Sequence, residues 1–229
     1  MSTAVNLRSA VCLLGRFPAL AGVDLVVATG EIVLVEGANG AGKTTLLRAI
    51  AGLVPVVEGT AEVLGQDLRR DPRSLRPQVG LLGQGPGLYD DLSVAENLRF
   101  WARAAGRGSG DVARALARLG LDGRLAEQPA GRLSTGQRRR AALAAVVVRN
   151  PRLWLLDEPH AGLDAGGRDV VDDLVVEAVA GGATVVLASH ERERASSLAD
   201  RSVVLAGGRT LAGGSTAGAG VVGEPAHVA

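Results

Sequence analysis

At 229 residues, 47% hydrophobic and 21% charged, the chain has globular composition and room for one large domain or a core with a subdomain. Its net charge of +1 argues against a general polyanion binder, so no nucleic-acid partner is expected. Aromatics make up only 2%, so aliphatic packing must build the core, and the single Cys12 excludes an internal disulfide, as suits a reducing compartment. The longest unbroken apolar run, Ala141 to Val148, is far short of the roughly 20 residues a membrane span needs. The opening MSTAVNLRSA lacks the charged-then-apolar order of a secretory signal. A cytosolic chain able to dock on a membrane protein is expected.

The first thirty residues read as short strands, with Val23 to Val27 the clearest. Ile32 to Val35 predicts a buried strand running into a Gly-rich loop, and Lys43 to Ala51 a helix stopped by Gly52. Ser93 to Ala105 predicts a helix, with Ser93 as N-cap and Glu96 completing a capping box. Asp111 to Leu119 reads as a short amphipathic helix ended by Gly120. Strand signals return at Leu153 to Leu156. Val170, Val171, Leu174, Val175 and Ala178 mark one face of a helix closed by Gly181-Gly182, and Thr184 to Ala188 and Val203 to Leu205 are further strands. From 211 to 229 the chain is small, Gly-rich and aperiodic, and a flexible tail is expected there. The layout is α/β: one domain over 1–210, its core at about 1–90 and 150–210, with a helical subdomain at about 90–150 between the halves.

Gly37-Ala38-Asn39-Gly40-Ala41-Gly42-Lys43-Thr44-Thr45 fits the phosphate-loop pattern. Glycines let backbone N–H groups turn inward around a polyphosphate, and the helix that follows points its positive end at the same place. Lys43 reaches the β- and γ-phosphates, and the Thr44 hydroxyl ligates Mg²⁺. Lys43 is also the only lysine among the 25 lysines and arginines, in a chain whose composition fits a GC-rich genome. A compact ammonium fits inside a closed ring of N–H groups where a planar guanidinium does not. A lysine that survives such a bias marks a place where arginine fails.

Leu153-Trp-Leu-Leu-Asp157-Glu158-Pro159 is an apolar strand ending in two acids. After a phosphate loop, Asp157 suits a Mg²⁺ site through water, and Glu158 suits a general base on the attacking water. A surface acidic pair is the plainer alternative. Leu133-Ser134-Thr135-Gly136-Gln137 opens a helix, where a hydroxyl, backbone N–H groups and a helix N-terminus make a second anion clamp, or only an N-cap.

With these residues the chain resembles the ATP-binding cassette (ABC) ATPases, whose signature is Leu-Ser-Gly-Gly-Gln; Thr135 replaces the first of its two glycines. The resemblance covers about residues 5 to 210. It implies a P-loop NTPase core with an antiparallel β lobe and a helical subdomain insert. It makes Gln84 the Q-loop glutamine, sensing Mg²⁺ and γ-phosphate, Asp164 the acid of the D-loop, and His190 the switch histidine that holds the γ-phosphate and the water in line. It implies a head-to-tail homodimer or pseudo-dimer, in which Lys43 and Thr44 of one copy and Ser134 and Gly136 of the other sandwich ATP. A multispan membrane permease is the further implied partner, with the chain peripheral at the cytoplasmic face of the membrane. Two positions depart from the family: Leu14 stands where an aromatic usually stacks on adenine, with Phe17 nearby, and Ala145 replaces an arginine of the signature helix. His160 and His227 have no assigned role.

Within the family, Gly80-Leu-Leu-Gly-Gln-Gly-Pro-Gly-Leu-Tyr-Asp-Asp-Leu-Ser-Val, Glu96-Asn-Leu-Arg-Phe-Trp-Ala-Arg103 and the phosphate-loop stretch from Val35 resemble the small ATPase of the haem exporter of cytochrome c biogenesis. Exporters of drugs, lipids or polysaccharides share much of this. A soluble ABC ATPase of DNA repair or translation usually carries a coiled coil or a second cassette, for which this chain has no room. A GTPase would carry an Asn-Lys-x-Asp guanine-reading motif, which is absent.

Overall fold

The computed structural model describes residues 2–83, 85 and 87–211. In chain order the elements are β1 (Thr3–Leu14), β2 (Phe17–Ala28), β3 (Ile32–Glu36), α1 (Lys43–Ile50), β4 (Glu58–Val63), β5 (Gln66–Asp67) and β6 (Val79–Leu82). There follow α2 (Val94–Ala104), α3 (Ser109–Arg118), α4 (Thr135–Arg149), β7 (Leu153–Asp157), α5 (Ala165–Ala180), β8 (Thr184–Ala188), α6 (Arg192–Leu198), β9 (Arg201–Ala206) and β10 (Arg209–Thr210). Two single 3₁₀ turns lie between α3 and α4.

Two sheets organise the chain. One is antiparallel, in the order β2-β1-β4-β5; the other runs β10-β9-β3-β8-β7-β6, parallel from β9 to β6 with β10 antiparallel at its edge. The parallel strands are buried on both faces, which is why they read as unbroken apolar runs. Ile32, Leu34, Trp154, Leu156, Val185 and Leu187 face one core, shared with α2 to α5. Val33, Val35, Leu153, Leu155, Val186 and Ala188 face the other, shared with α1 and the antiparallel sheet. A pleated strand sends alternate side chains to opposite faces, so each strand holds both cores together.

The first thirty residues form two strands of 12 residues rather than several short ones. Bulges explain the difference: the β1–β2 register shifts between Leu7 and Ala10 and again after Cys12, and Ser9 takes a left-handed φ of 47°. Each bulge resets the alternation that marks a strand in sequence. The helix expected from Asp111 begins earlier, at Ser109, and α1 ends one residue before its expected stop. α6 has no apolar face to read, since Ala195 is its one buried residue. Strands β4 to β6 also carry little pattern; in β6, Gly80 lets Pro151 and Val146 approach so closely that a Cβ would meet them at 2.6 and 2.8 Å.

The chain leaves the parallel sheet after β6, forms α2, α3 and α4, and re-enters at β7, the neighbour of β6. The capping box at Ser93 and Glu96 starts α2 as the sequence indicates, with Glu96 N donating to Ser93 Oγ at 3.2 Å and Ser93 N donating to the Glu96 carboxylate at 2.8 Å. Asn150, in the left-handed region, ends α4. Among the described residues no helix is long and apolar enough to cross a membrane. Of the expected flexible tail, 211–229, Leu211 is described, its N donating to Val204 O at 3.0 Å, and 212–229 lie outside the described residues.

Candidate active site

In open α/β sheets, ligands bind beyond the carboxyl ends of the strands. Here β3, β8, β7 and β6 are successive neighbours, and Val35, Ala188, Asp157 and Leu82 end them nearly level. The loops leaving these ends carry Gly37 to Thr45, Ser189-His190, Glu158 and Gly83. A cleft of about 450 Å³ opens there, lined by Ala38 to Thr45, Asp157, Glu158 and His190, and on its far side by Leu14, Pro18, Ala19, Gly207 and Gly208.

The loop from β3 to α1 can turn so tightly because of its glycines. Gly37 has φ 152° and a Cβ there would stand 2.3 Å from Leu205 O; Gly42 has φ 108° and its Cβ would stand 2.8 Å from Ala19 O. α1 has no side-chain cap and no acid in its first turn, so its N–H groups and dipole are left for an anion. Lys43 is 7% exposed, and its Nζ donates to Gly37 O at 2.7 Å and Ala38 O at 3.2 Å. The ammonium thus closes the loop it belongs to, and two carbonyl dipoles offset its burial.

Thr44 Oγ1 donates to Asp157 Oδ2 at 2.8 Å. A hydroxyl beside a carboxylate offers the hard oxygen donors that Mg²⁺ takes, with phosphates and waters completing its shell. Glu158 follows in the left-handed region, φ 52°, a conformation that costs a residue with a Cβ about 1–2 kcal/mol. One carboxylate oxygen, Oε2, accepts from His190 N at 2.9 Å; the other, Oε1, lies 3.4 Å from His190 Nε2 and has no hydrogen-bond partner among the described residues. That oxygen is buried from solvent, an acceptor left unsatisfied. The His190 ring is half exposed. Its loop is braced by Arg168 on Glu191 at 3.2 Å and Arg192 on Glu36 at 3.5 Å.

Ser134, Gly136, Gln137 and Asp164 do not line this cleft. Ser134 is exposed and caps α4: Gln137 N donates to its Oγ at 3.3 Å, and its own N donates to Gln137 Oε1 at 2.9 Å. Asp164 caps α5, accepting from Gly167 N at 2.9 Å. Gln84 lies outside the described residues. Leu14 reaches the cleft, whereas Phe17, 79% exposed, does not line it.

Two groups near the site carried no distinguishing sequence signal. Arg139 is one arginine in a row of three, yet its Nη1 donates to Gly83 O at 2.8 Å and its Nη2 to both Asp157 O and Glu158 O, the latter at 2.5 Å. Burial lowers its pKa, and the Asp157 and Glu158 charges oppose that shift. His160 is buried, with Nε2 2.8 Å from Asp172 Oδ1, and Asp172 also accepts from Arg194. This chain of contacts ties the segment after Glu158 to α5 and α6.

The ABC transporter family model matches residues 20–161. The cytochrome c biogenesis ATP-binding export protein CcmA 2 of Cupriavidus metallidurans is 43% identical over 173 residues, which span 75% of this chain and 82% of that protein. The daunorubicin resistance ATP-binding protein DrrA3 of Streptomyces coeruleorubidus is 39% identical over 216 residues, 93% of this chain and 68% of that one. A dimeric ATP-binding cassette, solved in a post-hydrolysis state with ADP and Pi, matches the fold with a TM-score of 0.84 at 26% identity, over 90% of this chain and 96% of that one. Sequence and fold agree, and this chain belongs to the ABC transporter family as one of its ATP-hydrolysing, nucleotide-binding members.

Proposed function

We propose that this chain is the ATPase subunit of an exporter serving cytochrome c biogenesis, with haem as the cargo of its membrane partner. What carries the reading is one cleft holding Lys43, Thr44, Asp157, Glu158 and His190, in a chain 43% identical to a cytochrome c biogenesis export protein. In this reading residues 1–210 act as a single ATPase domain with a helical subdomain. Residues Gly37 to Thr45 wrap the phosphates, and Lys43 neutralises the β- and γ-phosphates. Thr44, Asp157 and Gln84 hold Mg²⁺ between them. Mg²⁺ held by these residues would offset the negative charge of the leaving group. Glu158 takes the proton of the attacking water, and His190 holds water and γ-phosphate in line.

Ser134 and Gly136, which do not line their own cleft, clamp the nucleotide of a second copy, and Asp164 and Gln137 border that junction. A groove of about 280 Å³ is lined by Leu53, Leu81, Trp101 and Ala145, with Arg149 5.3 Å over the Trp101 ring. It adjoins Gly83 and Gly85 on either side of Gln84. We assign it to the multispan permease, which would hold the chain at the cytoplasmic face of the membrane and receive the signal from Gln84.

The test is deletion of the gene, followed by haem staining of membrane proteins and complementation. Loss of covalently bound haem, restored by the wild type and not by Glu158→Gln, is expected; normal c-type cytochromes would refute the haem reading. The relative named for daunorubicin resistance, matched over 93% of the chain, motivates a second reading as a drug exporter. Drug sensitivity with normal cytochromes would favour it.

A further inference from the structure

Helix α4 meets two functional regions within its first two turns. Its first turn, Ser134 to Gln137, is the clamp assigned above to a second copy. That turn also rests on the segment after Glu158: a Cβ on Gly136 would stand 3.0 Å from Gly162 O, and one on Gly162 would stand 3.4 Å from the Thr135 methyl. One turn further on, Arg139 donates to three main-chain carbonyls, those of Gly83, Asp157 and Glu158. These belong to the strand end before Gln84, to the residue beside Thr44, and to the base itself.

We propose that Arg139 is a positioning residue for ATP hydrolysis: it fixes the peptide of Glu158 and couples it to the clamp at the start of the same helix. The inference rests on the dimeric ATPase reading above. The chemistry follows from what the guanidinium grips. It holds carbonyls rather than side chains, so it sets backbone direction. Glu158 is the residue that needs such a hold, because it keeps a left-handed φ of 52° without being glycine. Released, that peptide relaxes toward ordinary backbone and swings the carboxylate off the line of attack. A planar fork places its donors on separate nitrogens that reach these carbonyls from fixed directions; an ammonium gathers its three donors on one nitrogen and does not keep that spacing. The three carbonyls that Arg139 grips lie outside the phosphate loop, so its loss should fall on kcat more than on KM. The helix is one rigid rod at this point, so a clamp seated on the second copy's nucleotide moves Arg139 and the Glu158 peptide with it. The clamp of one ATP site thereby aligns the base of the other.

The full chain carrying Arg139→Lys or Arg139→Met is assayed for Mg²⁺-dependent ATP hydrolysis beside the wild type, with thermal melts of each. A loss in kcat of at least roughly tenfold with KM changed less than about threefold is expected. Ser134→Ala added to Arg139→Lys should cost less than Ser134→Ala costs the wild type, because both act through one path. Unchanged kcat, KM rising in step with the lost rate, multiplicative losses in the double variant, or failure of both Arg139 variants to fold would each overturn the proposal. A wild type without Mg²⁺-dependent ATPase activity would overturn the proposed function, and this inference with it.

Discussion

Replacing Lys43 by arginine keeps the charge and changes only its shape. In the structure the ammonium sits 7% exposed between two carbonyls, 2.7 Å from Gly37 O and 3.2 Å from Ala38 O. A charge-assisted hydrogen bond contributes about 1.5–3 kcal/mol net, and a guanidinium too wide for the ring forfeits both bonds or splays the loop. Splaying the loop also moves its N–H groups off the phosphates. A loss of roughly 3 kcal/mol or more in transition-state stabilisation corresponds to about a hundredfold or greater fall in kcat/KM. The assay is phosphate release by the purified chain with Mg²⁺-ATP, with melting curves to show that the variant is folded. Lys43→Ala should fall about as far, since it too loses both bonds and the charge at the γ-phosphate. A Lys43→Arg enzyme within about threefold of wild type would refute the claim that ammonium size kept this lysine in an arginine-rich chain.

Glu158→Gln should bind Mg²⁺-ATP and accumulate as a stable dimer on size exclusion, because the amide cannot accept the water's proton; monomeric elution with ATP present would count against the sandwich. Burial pushes the Cys12 thiol up to about 11 from 9.0. Its folded pKa is raised, so the unfolded chain ionises first and stability should fall as pH climbs from about 9 toward about 11, a loss that Cys12→Ala removes. Rapid alkylation of folded protein at mildly basic pH would contradict the burial of that thiol. Glu96 is held below its ordinary value of 4.5, chiefly by the Ser93 backbone N–H and then by its hydroxyl. Its contribution should be present above the ordinary carboxylate range and fade as pH falls through the lowered value. Glu96→Gln should flatten that acid limb in equilibrium melts, and an unchanged acid limb would reject the assignment.

The Gly-rich loop before α1, the two acids at the end of β7, the helix N-caps and the buried parallel strands were legible in the sequence because each is governed by residues within one turn or one strand of itself. Glycine at Gly37 and Gly42 sets a backbone, Ser93 caps its own helix, and an unbroken apolar run declares a strand covered on both sides. What required the tertiary structure lies between distant positions. Arg139 looks like either neighbour in a basic row until folding brings Gly83, 56 residues away, and Glu158 against it. The left-handed backbone of Glu158, the burial of His160 against Asp172 and the bulges that join short apolar runs into β1 and β2 are likewise set by packing from elsewhere in the chain. Ser134 and Lys43 both read as phosphate binders, and in the fold Ser134 does not line the cleft that holds Lys43. The physical reason is that local periodicity records which face of an element is apolar, whereas which polar group is buried against which carbonyl is decided only when elements pack.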